Sequence, residues 1–304
     1  MALYISYGTG IFRISNRGLW DSRQSFHFVS QFHQNNAQHT VIQNNPSSKE
    51  NRSSDSFDNV YAANHVPLSF VQRVLLSMGS AGISLSNPSR GDMIATLGET
   101  TGPCALQSML QSMENDKEGR SILSERPRIN TKTLDLQKLH QMPDGSLGKA
   151  YSNFLAVNNV SPDTRAIVQF VDDVELAYVM QRYREVHDLF HTILQMRTNM
   201  LGEVTVKWVE AIQTKLPMCV GGAVFGSIRL SKKQRQKYIT HYLPWAIKTG
   251  WDSKSLMNVY FEKRWDQPVA ELQKELNINV LEFEKDTYIL SEDTIRRSKS
   301  VNQN

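Results

Sequence analysis

The chain has 304 residues, 40% of them apolar, with 34 lysines and arginines against 30 aspartates and glutamates and a formal charge of +4. That apolar share supports a folded core. The small positive balance, with no long Lys/Arg stripe interleaved with aromatics, excludes nucleic acid as the expected partner. Only two cysteines occur, Cys104 and Cys219, too far apart in sequence for a thiolate metal or redox motif. Both are expected to be small buried hydrophobes in a reducing compartment.

From Met1 to Trp20 there is no Asp or Glu, while Arg13 and Arg17 are present and Arg23 follows. Apolar residues (Tyr4, Ile5, Ile11, Phe12, Ile14, Leu19, Trp20) are scattered among small and hydroxylated ones, the composition of a mitochondrial presequence. No unbroken apolar core of about 7–15 residues exists, so a secretory signal is not expected. Residues 31–59 are rich in Asn, Gln and Ser and cannot bury enough apolar surface to offset their ordering entropy. Residues 1–59 are therefore read as transit peptide and polar linker. A folded domain of roughly 225 residues is expected over 60–286, the usual size for one domain. The charged segment 287–304 is read as a tail that frays.

Helical periods dominate the domain. Leu68, Val71, Val74, Leu75 and Met78 mark an amphipathic helix that Pro67 can open at its first turn. Asp92 is a candidate N-cap after a turn at 87–91, and Pro103 starts a helix carrying Leu106, Met109, Leu110 and Met113. Ser161-Pro162-Asp163 is a further helix start. The longest helical pattern runs from Asp172 to about Met196, with Asp172 and Asp173 as capping candidates. Later helices are expected over 203–214, 217–227, 231–249, 253–263 and 267–276. Long alternating strand patterns are missing, so the expected fold class is all-α.

Two apolar stretches need weighing against a membrane. Leu216–Ile228 is too short for the ~20 residues that span a bilayer, and Val66–Leu85 is broken by Gln72, Arg73 and several serines. Core packing is one expectation for both stretches, with Gly222 and Gly226 letting helices approach closely in the first. A tunnel wall for lipid or a membrane-docking face is the other.

The chemistry concentrates in VHDLFHTILQMRTNMLGE. His187 and His191 stand at i and i+4 and project from one helix face, with Asp188 beside them. Glu203 would lie roughly 120° round from His191 on a straight helix, so it is expected to return from a second helix after a break near Asn199 or Gly202. Two imidazoles and two carboxylates suit a divalent ion. Zinc is the expected cofactor, with iron or manganese equally compatible with such ligands. The order differs from the zinc-protease pattern, where a Glu follows the first His as general base. Tyr183 and Arg184, at i−4 and i−3 from His187, are candidate neighbours. Arg184 is suited either to a substrate carboxylate or to an ion pair with Asp188. Taken alone, the motif points to metal and leaves the reaction open.

Several segments resemble one known family: NPSRGDMIATLGETTG (87–102), ERPRI (125–129), LDLQKL (134–139), GSLGKAY (145–151), FVDDVELAYVMQRYREVHDLFH (170–191), KLPMCVGGAVFG (215–226) and YFEKRWDQ (260–267). They look like the coenzyme Q biosynthesis protein 4 family, across about residues 60–280. Its most specific element, His-Asp-x-x-His with a following Glu, is kept at His187, Asp188, His191 and Glu203. The resemblance implies a peripheral protein on the matrix side of the mitochondrial inner membrane, working with other ubiquinone-pathway enzymes in a complex. It also implies a lyase that removes the C1 carboxyl of 4-hydroxy-3-methoxy-5-polyprenylbenzoate. Two other expectations stand beside it: a lipid-binding scaffold for that complex, and an oxidative reaction placing hydroxyl at C1. A homo-oligomer is compatible with all three.

Overall fold

The computed structural model describes residues 56–284 and 287–289, and the presequence positions lie outside them. Among the described residues the elements are helical, save one isolated antiparallel bridge between Ser146 and Pro268. The α-helices are α1 (Phe57–Asn64), α2 (Phe70–Ser86), α3 (Gly91–Thr101), α4 (Pro103–Asn115), α5 (Lys117–Glu125), α6 (Leu136–Gln141) and α7 (Leu147–Asn158). They continue with α8 (Val174–Leu194), α9 (Met200–Thr214), α10 (Pro217–Ile228), α11 (Lys232–Lys237), α12 (Leu243–Asp252) and α13 (Val269–Glu275). The all-α expectation holds.

Helix α8 is the axle. It begins at Asp173, whose carboxylate accepts from the N–H groups of Glu175 and Leu176, and it ends at Gln195 in the left-handed region, φ 55°. Between these stops α8 is buried on nearly every side, with α1, α4, α7, α9 and α13 packed around it. Tyr178, Val186, Leu189 and Ile193 are among its fully buried apolar side chains, each worth about 1.5–3 kcal/mol on leaving water. An axle buried all round must also bury its polar residues, which is costly unless each charge is paired. Arg182 therefore meets Glu262, Glu185 meets Arg128 at 2.7 Å, and Arg184 meets Glu99 at 2.6 Å.

Several boundaries differ from expectation, each for a local reason. Helix α1 starts inside the segment read as linker, because Phe57 and Tyr61 are buried and Phe57 packs edge-on against Tyr178 at 5.3 Å. At the other end, Thr287 and Tyr288, read as tail, are buried, and Tyr288 receives the Asn153 amide on its carbonyl at 3.0 Å. Pro67 precedes α2 rather than opening it, since Ser69 and Gln72 form a reciprocal capping box there. Asp92 sits inside the first turn of α3 and pairs with Arg90 at 2.7 Å, so it is not the N-cap. Ser161 caps only a single 3-10 turn, Pro162–Thr164.

The span 231–249 is interrupted by a π turn, Tyr238–Tyr242, where the Leu243 N–H reaches back to the Tyr238 carbonyl. Pro244 lacks the N–H that an unbroken α ladder would require next, and the wider turn accommodates this. No α-helix covers 253–263, which holds only the 3-10 turns Leu256–Asn258 and Phe261–Lys263. Leu256, Met257, Val259, Tyr260 and Phe261 are all buried there, a run that one helix face cannot bury. Side chains satisfy the backbone instead: Glu118 accepts from the Tyr260 N–H at 2.9 Å, and Gln213 from the Leu256 N–H at 3.1 Å.

Candidate metal centre

The chain turns back between α8 and α9, and this turn builds the site. Asn199 caps α9 by accepting from the Gly202 N–H at 2.9 Å, which sets Glu203 in the first turn of a separate helix facing α8. Nitrogen atoms of His187 and His191 and an oxygen of Glu203 all lie within 4.8 Å of one another. Their separations from Glu203 are 3.9 Å for the Nε2 of His187 and 3.5 Å for the Nε2 of His191. The two imidazoles meet edge to face, with ring centres 4.9 Å apart.

Each imidazole is held by its other nitrogen. His187 Nδ1 lies 2.6 Å from Glu210 Oε1, and His191 Nδ1 lies 3.0 Å from the Met196 carbonyl. Donation from both Nδ1 atoms leaves both Nε2 atoms as lone-pair bearers toward Glu203. The Nε2 of His191 is buried and has no hydrogen-bond partner. A buried polar atom left without a partner is expensive, and an ion at the centre of the three donors would satisfy it. Two imidazoles and one carboxylate, hard and borderline donors, fit a divalent ion.

Electrostatics agree with the geometry. Burial alone would raise the Glu203 carboxyl, but the neighbouring His191, then His187 and Lys207, outweigh it and hold it down at about 2. Burial also opposes charge on His191, yet Glu203 beside it brings the net shift above the ordinary 6.5. His187 goes the other way: burial and then the Lys207 charge lower it, despite Glu210. Glu203 keeps about a third of its side chain exposed (35%) while His191 is closed off, so the site opens on the carboxylate's side.

The expected ligand set is thus brought together in three of its four members. Asp188 is buried and its carboxylate is bonded by Arg165; one residue on from His187, it is turned about 100° round the helix. Arg184 is neither free for a substrate carboxylate nor paired with Asp188. Its guanidinium is committed to Glu99 and to the carbonyls of Ala95 and Ala166. Tyr183 does border the site, one step removed, through a 2.9 Å bond to Glu210.

Glu210 and Lys207 are the residues that the sequence reading missed. Lys207 Nζ lies 2.6 Å from Glu210 Oε2 and donates to the Tyr183 hydroxyl at 3.2 Å. Glu203, Lys207 and Glu210 fall at i, i+4 and i+7, so one face of α9 carries them all. That spacing was the available signal. Cys219 is buried as expected, but it lies 3.1 Å from the Tyr183 hydroxyl, and burial pushes its thiol up to about 12. Cys104 is exposed, against expectation, because it sits on the outer side of the first turn of α4.

Comparison with known proteins places this chain in a family. The family model for coenzyme Q (ubiquinone) biosynthesis protein Coq4 matches residues 62–282, most of the chain, including His187, Asp188, His191 and Glu203. The chain belongs to the Coq4 family. A homologue from Anopheles gambiae is 56% identical over 227 residues, covering 75% of this chain and 80% of that protein. One from Mus musculus is 55% identical over 215 residues, covering 71% of this chain and 81% of its own length. Both are named mitochondrial ubiquinone biosynthesis protein COQ4 homologues. Among solved structures, a Nostoc punctiforme protein assigned to ubiquinone biosynthesis superposes with a TM-score of 0.54 at 19% identity. It covers 67% of this chain and 97% of that one. At that identity the likeness speaks for the fold alone, and it supports the all-α arrangement of this Coq4 family member.

Proposed function

We propose that this Coq4 family member acts in mitochondria as a metal-dependent lyase, removing the C1 carboxyl of a polyprenylated 4-hydroxy-3-methoxybenzoate. The observation that carries this reading is the buried, partnerless Nε2 of His191 aimed, with His187 Nε2, at the carboxylate of Glu203. His187, His191 and Glu203 would hold the ion. Asp188, the remaining carboxylate of the motif, is held by Arg165 beside them and would add negative charge next to the ion. A bound divalent ion would supply Lewis acidity toward the ring's carboxylate or phenolate oxygen. Three protein donors leave room for a substrate oxygen, as catalytic sites do and closed structural zinc sites do not.

Loss of the carboxyl breaks the bond between C1 and the carboxyl carbon. The electron pair stays on C1, which takes up a proton as CO2 leaves. The chain's contribution is orientation and charge. Glu210 and the Met196 carbonyl fix the two imidazoles, and the partly exposed Glu203 marks the side from which a substrate oxygen would approach. Tyr183 and Lys207 are both shifted upward, opposite to what a proton donor near neutral pH requires. We assign them to holding Glu210 rather than to delivering the proton.

A second reading rests on the donor set itself. Two histidines and one carboxylate also suit ferrous iron in oxygen-using enzymes, which favours replacement of the carboxyl by hydroxyl as the alternative. Turnover of purified, metal-defined protein on the carboxylated precursor, with and without oxygen, tests both. The lyase reading expects metal-dependent release of CO2 and the methoxy-polyprenylphenol under nitrogen. Hydroxylated product formed only in oxygen would replace it with the oxidative reading, and no turnover by metal-replete protein would return the chain to a scaffold role. We further propose peripheral association with the matrix side of the inner membrane, alongside the other pathway enzymes. No helix among the described residues is long and apolar enough to cross a membrane.

A further inference from the structure

Large exposed apolar side chains are concentrated on α2 and α10. On α2 they are Phe70, 81% exposed, with Val71, Val74, Leu75, Met78, Ile83 and Leu85. Val71, Val74, Leu75, Met78 and Leu85 recur at helical spacing, so they form a stripe on one face. That face turns away from the protein, the reverse of the usual amphipathic helix. On α10 the exposed set is Val220, Val224, Phe225 and Ile228. The opposite side of α10 is its packing side: a Cβ at Gly226 would stand 2.7 Å from Val204, and one at Gly222 would stand 3.4 Å from Lys207. The carboxy-terminal ends of the two helices meet where Arg229 bonds the Leu85 carbonyl.

Charge completes the pattern. Between Val66 and Gly91, and again between Ala211 and Trp251, there is no Asp or Glu. Arg229, Lys232, Lys233, Arg235 and Lys237 are exposed in and just before α11. Arg235 is tied back to the end of α10 through the Ile228 carbonyl at 3.1 Å.

We propose, resting on the peripheral membrane association proposed above, that the outer faces of α2 and α10, with the basic α11 at their edge, form the surface that docks onto an anionic lipid bilayer. Apolar side chains enter the interface while cationic ones remain at the headgroup level, the two forces that hold a peripheral helix on a membrane. The stripe stands outward along one helix face. A second copy is the poorer occupant, because an isologous contact sets a patch against itself, and this patch has cations without a matching anion. Helix α10 lies between the proposed surface and α9, which carries Glu203. Docking would therefore bring the lipid phase to the wall of the metal centre.

Flotation of the full chain with vesicles tests this without any measure of turnover, so it can fail independently of the lyase reading. The probes are phosphatidylcholine vesicles and the same vesicles containing phosphatidylglycerol. The chain should float several-fold more with the anionic vesicles, and less as salt is raised. The triple variants V71S/L75S/M78S and V224S/F225S/I228S should each lose most of this binding, as should K232E/K233E/R235E. Unchanged circular dichroism and metal content establish that each variant is folded; a triple variant that fails this check is replaced by Leu75→Ser or Phe225→Ser alone, which should each reduce flotation at least twofold. Flotation by folded variants at the wild-type level, or no flotation by the parent chain, would overturn the proposal. So would a solution dimer that the apolar variants dissociate, since a second copy would then cover the face.

Discussion

The wall of the proposed metal centre and the outer face of α2 use opposite rules of burial. Around His187 and His191, charged groups are buried and each is answered: Glu210 by His187 and Lys207, Glu99 by Arg184, Asp188 by Arg165. On α2, apolar groups are exposed and unanswered within the described residues. A soluble core normally does the reverse on both counts. The difference teaches where to look for chemistry and where to look for a partner. Buried charge that is fully paired holds a site in one geometry at a cost in desolvation, whereas exposed apolar surface marks a contact that forms elsewhere.

The comparison breaks most visibly under mutations of stability. Arg184→Ala removes the charge partner of the buried Glu99 carboxylate, leaving it the N–H groups of Gln169 and Phe170, and should destabilise by about 3–5 kcal/mol, read by urea unfolding. Metal content of the folded fraction should be unchanged, because Arg184 does not reach the ligands. Truncating one leucine on each side sharpens the contrast. Leu189→Ala, from a side chain fully buried in α8, should cost about 2–5 kcal/mol. Leu75→Ala, from a side chain 65% exposed, should stay within about 0.5 kcal/mol. Equal losses would mean that the α2 face is covered in the isolated chain.

Smaller effects probe the site's tuning. Glu210→Gln keeps volume but removes the charge that orients His187, and metal affinity should fall about 10–100-fold in a competition titration while the helix content persists. Affinity should also depend on pH with a definite sign. Protons and metal compete for the same Nε2 atoms, and His191 is raised above the ordinary 6.5. Affinity should therefore be full at alkaline pH and decline as pH falls through that raised value. Glu203, held at about 2, contributes to the decline only in strong acid. An affinity flat from alkaline to acidic pH would contradict the assignment of His191.

Much of this was legible in the sequence because it rests on local rules. The all-α class, the long helix ending at the motif, the cap at Asp173 and the break at Asn199 follow from periodicity and capping chemistry. His187, His191 and Glu203 were legible because i, i+4 spacing and a helix break dictate that they converge. The partners of Asp188 and Arg184 were not legible, because Arg165 and Glu99 come from other segments, brought close only by packing. Glu210 was visible as spacing on α9, but its role needed the tertiary contact with His187. The loss of the helix over 253–263 was hidden for the same reason. Its side chains are buried around Arg182 and Glu262, and tertiary burial overrode local helix preference.

The central claim is a divalent ion held by His187, His191 and Glu203, and metal analysis of the purified chain tests it most directly. The wild type should carry one divalent ion per chain. The His187→Ala, His191→Ala double variant should carry none while keeping its helical spectrum and cooperative unfolding. Full stoichiometry retained in the folded double variant, or no ion bound by the wild type after exposure to zinc, iron or manganese, would contradict it.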